Sequence, residues 1–221
     1  HVLVTAGPTR EYIDTVRFIT NPSSGKMGVA VAQEALSRGA KATLVYGVGM
    51  TSEPPIDAKC IPVETADDMM KTVMNEMNLC HCDIFVGTAA VSDYTPATRV
   101  NSKIPSGQKG LTIQLKPLPR IVQAVKEESP ETFVIGFKAE YNVPKEELVE
   151  RAYKRVNEVG LDLIVANDVS KEGVGFSTET NEVYIVNAEK RVVHVNLSTK
   201  RDVAARILDT AMEIYNKKRG T

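Results

Sequence analysis

The sequence predicts an α/β fold: a mostly parallel sheet with helices on both faces. Three observations predict it. Strand-sized apolar runs alternate with amphipathic helical segments along most of the chain. Parallel neighbours require long crossovers, which those helices supply. Two alternating runs near the end add an antiparallel C-terminal hairpin. No internal repeat, low-complexity tract or linker divides the chain, so its 221 residues are expected to form a single domain.

Val2 to Ala6 reads as a short buried strand, and a polar loop leads from it to a helix carrying Met27, Val31, Ala32, Ala35 and Leu36 on one face. Gly39 closes that helix. A strand at Ala42 to Gly47 follows, then a loop containing Ser and Pro, then a short strand near Cys60 to Val63. Thr65 caps the next helix, and its stripe of Met69, Met70, Val73, Met74 and Met77 fits core packing better than a binding surface. Asp83 to Thr88 is the next strand. Ala89 to Gln108 is a long polar excursion with neither helical nor strand period, the kind of loop that is functional or mobile in a compact domain. Leu111 to Leu115 alternates like a strand, Pro119 opens a helix, and Thr132 to Gly136 returns to the sheet. Leu148, Val149, Ala152 and Val156 mark a helix that stops near Gly160, and Leu161 to Ala166 is a further buried strand. Glu182 to Val186 and Arg191 to Val195 form the hairpin, before a last helix bearing Val203, Ile207, Leu208, Ala211 and Ile214.

Lys and Arg, 27 in all, nearly balance 28 Asp and Glu, so bulk charge calls for neither nucleic acid nor an anionic membrane as partner. Any anion must be bound locally. The longest apolar runs fall far short of the roughly 20 residues that span a bilayer, and no secretory signal is visible, so a cytoplasmic enzyme is expected. Cys60, Cys80 and Cys82 are expected to be reduced thiols. Cys80, His81 and Cys82 lack nearby partners for a zinc site, since His1 and His194 lie far off in sequence. The chain enters a strand at His1, and a fragment of a longer polypeptide is expected.

In an open α/β sheet, ligands bind beyond the carboxyl ends of the strands, and the polar residues gather there. The glycine- and serine-rich segment from Gly7 to Gly28 runs into the first helix. Its helix amides, the Ser23 and Ser24 hydroxyls and the freedom of Gly25 make a phosphate cradle. The plainer alternative is that Ser24 caps the helix and Gly28 permits close packing on the sheet. A Walker A loop is excluded: Thr20 stands where its first glycine belongs, and Met27 where its hydroxyl belongs. The dinucleotide fingerprint fails as well, because the first strand is followed by Gly7-Pro8-Thr9 and the second ends without an acid.

Further on, Gly87 to Tyr94 supplies small residues that let a flat base approach the backbone. Asp93 is placed to hold a divalent ion or a hydroxyl, or else to form a turn. Lys103 sits in the irregular loop, where a lysine either closes over polyphosphate or is simply solvated. Phe137 and Lys138, and then Asn167 and Asp168, follow later strands to the same edge.

These motifs, in this order, resemble the phosphopantothenate-cysteine ligase family, also called phosphopantothenoylcysteine synthetase, of coenzyme A biosynthesis. The resemblance covers essentially the whole chain. It rests on Ala6-Gly7-Pro8-Thr9-Arg10-Glu11, Ile13-Asp14, Val16-Arg17-Phe18-Ile19, Asn21, Ser23-Ser24-Gly25-Lys26-Met27-Gly28, Ala89-Ala90-Val91-Ser92-Asp93-Tyr94, Lys103-Ile104, Gly136-Phe137 and Ala166-Asn167-Asp168-Val169.

The resemblance implies a Rossmann-like nucleotide-binding ligase domain over residues 1–221, with a mobile flap at about residues 94–110. It implies that the carboxylate of 4′-phosphopantothenate attacks the α-phosphate of CTP in the presence of Mg2+, releasing pyrophosphate and leaving an acyl-cytidylate. The amine of L-cysteine then displaces CMP. Asn21 would contact the acyl-cytidylate, Arg17 would hold phosphopantothenate, and Lys103 would support the first step from the flap. Ala89, Ala90, Asp93 and Phe137 would line the nucleotide site with Gly7, Ser23, Ser24 and Gly25, Asp93 being the candidate metal ligand. Family members form homodimers, and in bacteria and archaea the domain is commonly fused to a flavin-dependent decarboxylase. One departure concerns the flap: many bacterial members carry further lysines after the first, whereas this chain reads Lys103-Ile104-Pro105-Ser106-Gly107. Lys109 or Lys138 would have to compensate.

Overall fold

The computed structural model describes residues 1–107 and 109–220; Gln108, within the expected flap, and Thr221 lie outside the described residues. The chain opens with β1 (Val2–Ala6), β2 (Arg10–Tyr12), β3 (Phe18–Thr20), α1 (Lys26–Ser37), β4 (Ala42–Gly47), β5 (Lys59–Val63) and α2 (Ala66–Leu79). It continues with β6 (Ile84–Gly87), β7 (Tyr94–Pro96), β8 (Leu115–Pro117), α3 (Ile121–Glu128) and β9 (Phe133–Glu140). Then come α4 (Lys145–Val159), β10 (Leu163–Asp168), β11 (Thr180–Asn187), β12 (Val192–Thr199) and α5 (Lys200–Arg219).

Eight strands form one sheet in the order β12-β11-β10-β9-β6-β1-β4-β5. The neighbours from β5 to β10 are all parallel, and β11 and β12 close the sheet as an antiparallel hairpin. Both faces of the central strands β1 and β10 are buried, as a doubly covered sheet requires, whereas the edge strand β12 is largely exposed. On one face Val2, Val4 and Ala6 of β1 share a core with Val29 and Val31 of α1 and with Val203 and Ile207 of α5. On the other, Leu3 joins Met69, Val73 and Met77 of α2, Val125 of α3 and Leu148 of α4. The methionine stripe is therefore core, as the helical spacing predicts. Each fully buried side chain of this kind stabilises the fold by about 1.5–3 kcal/mol.

β1 sits between β4 and β6. From β1 the chain steps outward through β4 and β5 on one side, then returns to β6 and steps outward through β9 and β10 on the other. Loops leaving the carboxyl ends of β1 and β6 diverge, which opens a crevice there.

Local sequence misleads at three places. The stretch read as a polar loop holds the hairpin β2–β3, pairing Arg10 with Thr20 and Tyr12 with Phe18. Leu111 to Leu115 is not a strand: Leu111 and Leu115 are 52% and 43% exposed, so their alternation has no core to face. Pairing begins only at Leu115, which lies opposite Pro96, and the ribbon β7–β8 thus closes the base of the flap. Pro119 does not open α3 either; Arg120, in extended conformation, is its N-cap, and Ile121 is the first helical residue to reach the core.

Candidate functional site

The crevice is a cleft of about 500 Å³ at the carboxyl ends of β1, β6 and β9. One wall is the segment from Asn21 into α1, the floor is Gly87 to Asp93, and the far wall holds Phe137, Asn167, Phe176 and Lys200. The two loops are stitched together at their roots. The Thr88 hydroxyl donates to the Thr5 carbonyl at 2.6 Å, the Ala90 amide to the Gly7 carbonyl at 2.9 Å, and the Ser92 amide to the buried Thr9 hydroxyl at 3.1 Å. Gly28 lets α1 lie on this seam, because a Cβ there would meet Thr88 Oγ1 at 2.5 Å and Ala6 Cβ at 2.6 Å. The close-packing role foreseen for Gly28 is present.

The cap of α1 is Gly25, not Ser24. Gly25 is left-handed at φ 80°, accepts nothing on a side chain, and precedes a first turn without an acid. A Cβ there would strike the Met50 side chain at 2.1 Å. By contrast α2 is closed by a Thr65–Asp68 capping box with two acids in its first turn. The positive end of α1 therefore faces the cleft uncompensated, an arrangement that suits an anion. The Ser24 hydroxyl donates to the Phe176 carbonyl and accepts only a long contact from the Lys26 amide at 3.5 Å, while the Ser24 carbonyl accepts the Thr51 and Ser52 amides.

Asn21, Ser23, Ser24, Gly25, Ala89, Ala90, Asp93 and Phe137 all line the cleft. The Asn21 amide donates to the Ala90 carbonyl at 3.1 Å and to the Val91 carbonyl at 3.4 Å, bridging the wall and the floor. Asp93 is exposed at the mouth, with Arg120 Nε at 3.9 Å. Gly7, Arg17 and Lys103 are not part of the lining. Gly7, left-handed at φ 72°, turns the chain and holds the floor through its carbonyl.

Arg17 is engaged away from the cleft. Its guanidinium donates to Asp14 Oδ2 at 2.7 Å and to the Ile104 carbonyl at 3.1 Å. Asp14 is fully buried and accepts the amides of Val16, Arg17 and Ile104. The Arg17 and Ile104 amides hold its carboxyl well below the ordinary carboxylate range. Lys103 is exposed, one residue before this latch. Lys138 lines the cleft and pairs with Glu140 at 2.8 Å.

Asp168 is structural. It accepts the Asn142 amide at 2.9 Å and both the amide and the hydroxyl of Ser170. Three cleft residues had no signal in the sequence: Phe176, Asn181 and Lys200. Asn181 pairs with Asn167 at 3.3 Å on the far wall, both side chains buried. Lys200 begins α5 immediately after its Thr199 cap, a position that in one dimension reads as a solvated surface lysine.

The sequence profile of the DNA/pantothenate metabolism flavoprotein C-terminal domain matches residues 1–215. The coenzyme A biosynthesis bifunctional protein CoaBC of Thermococcus kodakarensis is 43% identical over 210 residues, 94% of this chain and 50% of that protein. The Bacillus subtilis protein of the same name is 39% identical over 208 residues, again 94% of this chain and 50% of the relative. This chain thus spans about half the length of these relatives. The crystal structure of the C-terminal domain of a CoaBC protein superposes with a TM-score of 0.79 at 35% identity, covering 97% of this chain and 95% of that one. On the profile, the relatives and the shared fold together, the chain belongs to the DNA/pantothenate metabolism flavoprotein C-terminal domain family.

Proposed function

We propose that this domain joins 4′-phosphopantothenate to L-cysteine at the expense of CTP, through an acyl-cytidylate, giving phosphopantothenoylcysteine, CMP and pyrophosphate. The observation that carries the reading is the acid-free end of α1 lining one cleft beside the Asn21 amide and above a floor of small residues. A polyanion suits the helix end, and a flat base suits backbone bared by Ala89 and Ala90.

A carboxylate is a poor acyl donor, so the first step turns one of its oxygens into part of a good leaving group: the carboxylate oxygen bonds the α-phosphorus and pyrophosphate departs. The cysteine nitrogen then bonds the acyl carbon, CMP leaves, and the amine gives up a proton. Asn21, anchored between wall and floor, is the candidate for orienting the acyl-cytidylate. Lys103 on the flap would offset the negative charge of the triphosphate in the first step.

Among the described residues no three His, Cys, Asp or Glu side chains gather as a metal cage. Mg2+ commonly needs only one or two carboxylates, with substrate phosphates and water completing its shell, and exposed Asp93 at the cleft mouth fits that role. Bound there with the triphosphate, Mg2+ would neutralise charge and orient the leaving pyrophosphate.

A homodimer fits the apolar surface of the two small ribbons, where Val16 and Tyr94 are each 55% exposed and Leu115 is 43% exposed. The relatives are named bifunctional and are about twice as long, which supports a decarboxylase domain as partner. No helix among the described residues is long and apolar enough to cross a membrane, in keeping with a cytoplasmic enzyme. The test is pyrophosphate release from CTP on addition of phosphopantothenate alone, and amide product only once cysteine follows. Pyrophosphate release independent of phosphopantothenate, or none with CTP, would overturn the reading.

A further inference from the structure

We propose that Lys200 is a positioning residue of the cleft, which holds the segment from Gly173 to Glu179 in place as a wall of the cleft against the end of α1. The ligation reading enters only in naming the ligand as CTP.

Four consecutive carbonyls of this segment accept from three side chains outside it, and the Gly175 carbonyl also accepts the Thr178 hydroxyl at 3.1 Å. Lys200 Nζ donates to the Gly175 carbonyl at 2.9 Å and to the Thr178 carbonyl at 2.7 Å. The Ser24 hydroxyl takes the Phe176 carbonyl between them, and Lys26 Nζ takes that of Ser177 at 2.8 Å. Lys26 also pairs with the Glu179 carboxylate, and the Lys200 amide donates to the Glu179 carbonyl at 2.9 Å. The segment is thus strung between the first residues of α1 and of α5.

Lys200 is only 6% exposed. A buried ammonium is costly, and a cation at a helix N-terminus also opposes the helix dipole, so neither local propensity nor solvation favours this position. What favours it is the pair of carbonyls. In return Gly175 and Phe176 are fixed as lining of the cleft, and the Ser24 proton is directed to the segment and away from the α1 amides.

Lys200→Met keeps the stem and removes the ammonium; Lys200→Arg keeps a cation. The chain contains 0 tryptophans and 7 tyrosines, so Phe176→Trp supplies a single tryptophan on the segment, excited selectively at the red edge where tyrosine does not absorb. Adding Lys200→Met to that reporter is expected to raise acrylamide quenching roughly threefold while the cooperative thermal transition is retained. In the otherwise unaltered chain, Lys200→Met is expected to raise KM for CTP about tenfold with kcat within about threefold, and Lys200→Arg to recover most of both effects. Should Lys200→Met fail to fold, Lys200→Gln, which can still reach one carbonyl, should give intermediate values of quenching and KM. Quenching and KM both unchanged in a folded Lys200 variant overturn the proposal. If the unaltered chain does not use CTP, the ligation reading falls, and the quenching comparison alone decides the role of Lys200.

Discussion

Asp14 and Arg17 form an ion pair at 2.7 Å, and both also bind the backbone of Ile104, the residue after Lys103. The turn of the hairpin β2–β3 is therefore latched to the middle of the flap, beside Lys103. A buried carboxylate that accepts three amides and a guanidinium organises both loops at once. Its low pKa means that its stabilising contribution is complete above the ordinary carboxylate range and is lost only as the pH falls through that range into strong acid. The latch is thus intact at neutral pH. Asp14→Asn should slow phosphopantothenate-dependent pyrophosphate release by about tenfold or more, with a smaller effect on the reaction of preformed acyl-cytidylate with cysteine. Measuring the two half-reactions separately checks this; equal losses in both would show that the latch does not act through Lys103.

Gly28 is confined by rigid neighbours, since a Cβ would lie 2.5 Å from Thr88 Oγ1 and 3.1 Å from the Thr5 carbonyl. Gly28→Ala should destabilise the fold by about 1–3 kcal/mol through overpacking, despite the better helix propensity of alanine. Urea unfolding gives the number. A neutral or stabilising result would mean that α1 can retreat from the seam without loss.

Most of the sheet was legible in the sequence because its strands and helices are covered on both faces or carry a clear buried stripe. Leu3 and Val4, for instance, are both buried, on opposite faces of β1. The ribbons β2–β3 and β7–β8 were not, because they bury little and their pairing is set by tertiary context. The cleft was legible where one continuous segment carries it, from Asn21 to Gly25. It was illegible where distant segments meet: nothing local in Thr199-Lys200-Arg201 distinguishes a buried lysine from a solvated one, and only the carbonyls of Gly175 and Thr178 reveal it. Arg17 shows the converse. The motif match pointed to the residue, but not to its engagement by Asp14.

Asn21 separates chemistry from scaffolding through two substitutions. From sequence alone, Asn21→Asp would be expected to spare nucleotide binding and abolish ligation. The structure alters that expectation, because Asp would turn an oxygen toward the carbonyls of Ala90 and Val91, where the amide now donates. Asn21→Asp should weaken CTP binding by about tenfold as well as abolishing ligation, since acceptors then face acceptors. Asn21→Ala removes the amide without setting an acceptor against those carbonyls and should keep CTP affinity within about threefold while ligation falls about a hundredfold. Calorimetric CTP titrations beside steady-state rates distinguish the two; a ligation-competent Asn21→Ala would remove Asn21 from the mechanism.

Lys200 supplies the pH dependence. Burial, helped by the neighbouring Lys26 ammonium and opposed by Glu179, pulls its pKa down to about 8. The groups around it on α1 and on the wall segment are Lys26, Ser24 and Glu179, with Asn167 and Asn181 neutral beside the cleft. An unfolded lysine titrates near 10.4, so between pH of about 8 and 10 the unfolded chain binds the extra proton. Stability attributable to this group therefore rises with pH across that window. Anion binding should move the other way, because deprotonation removes a positive charge from the cleft and weakens the donors to Gly175 and Thr178. Between about pH 7 and 9, CTP affinity should fall several-fold more in the unaltered chain than in Lys200→Met, while the stability of the unaltered chain relative to Lys200→Met increases. Titrations and urea midpoints of both chains at matched ionic strength test the pair of trends, and parallel pH profiles for the two would refute this assignment.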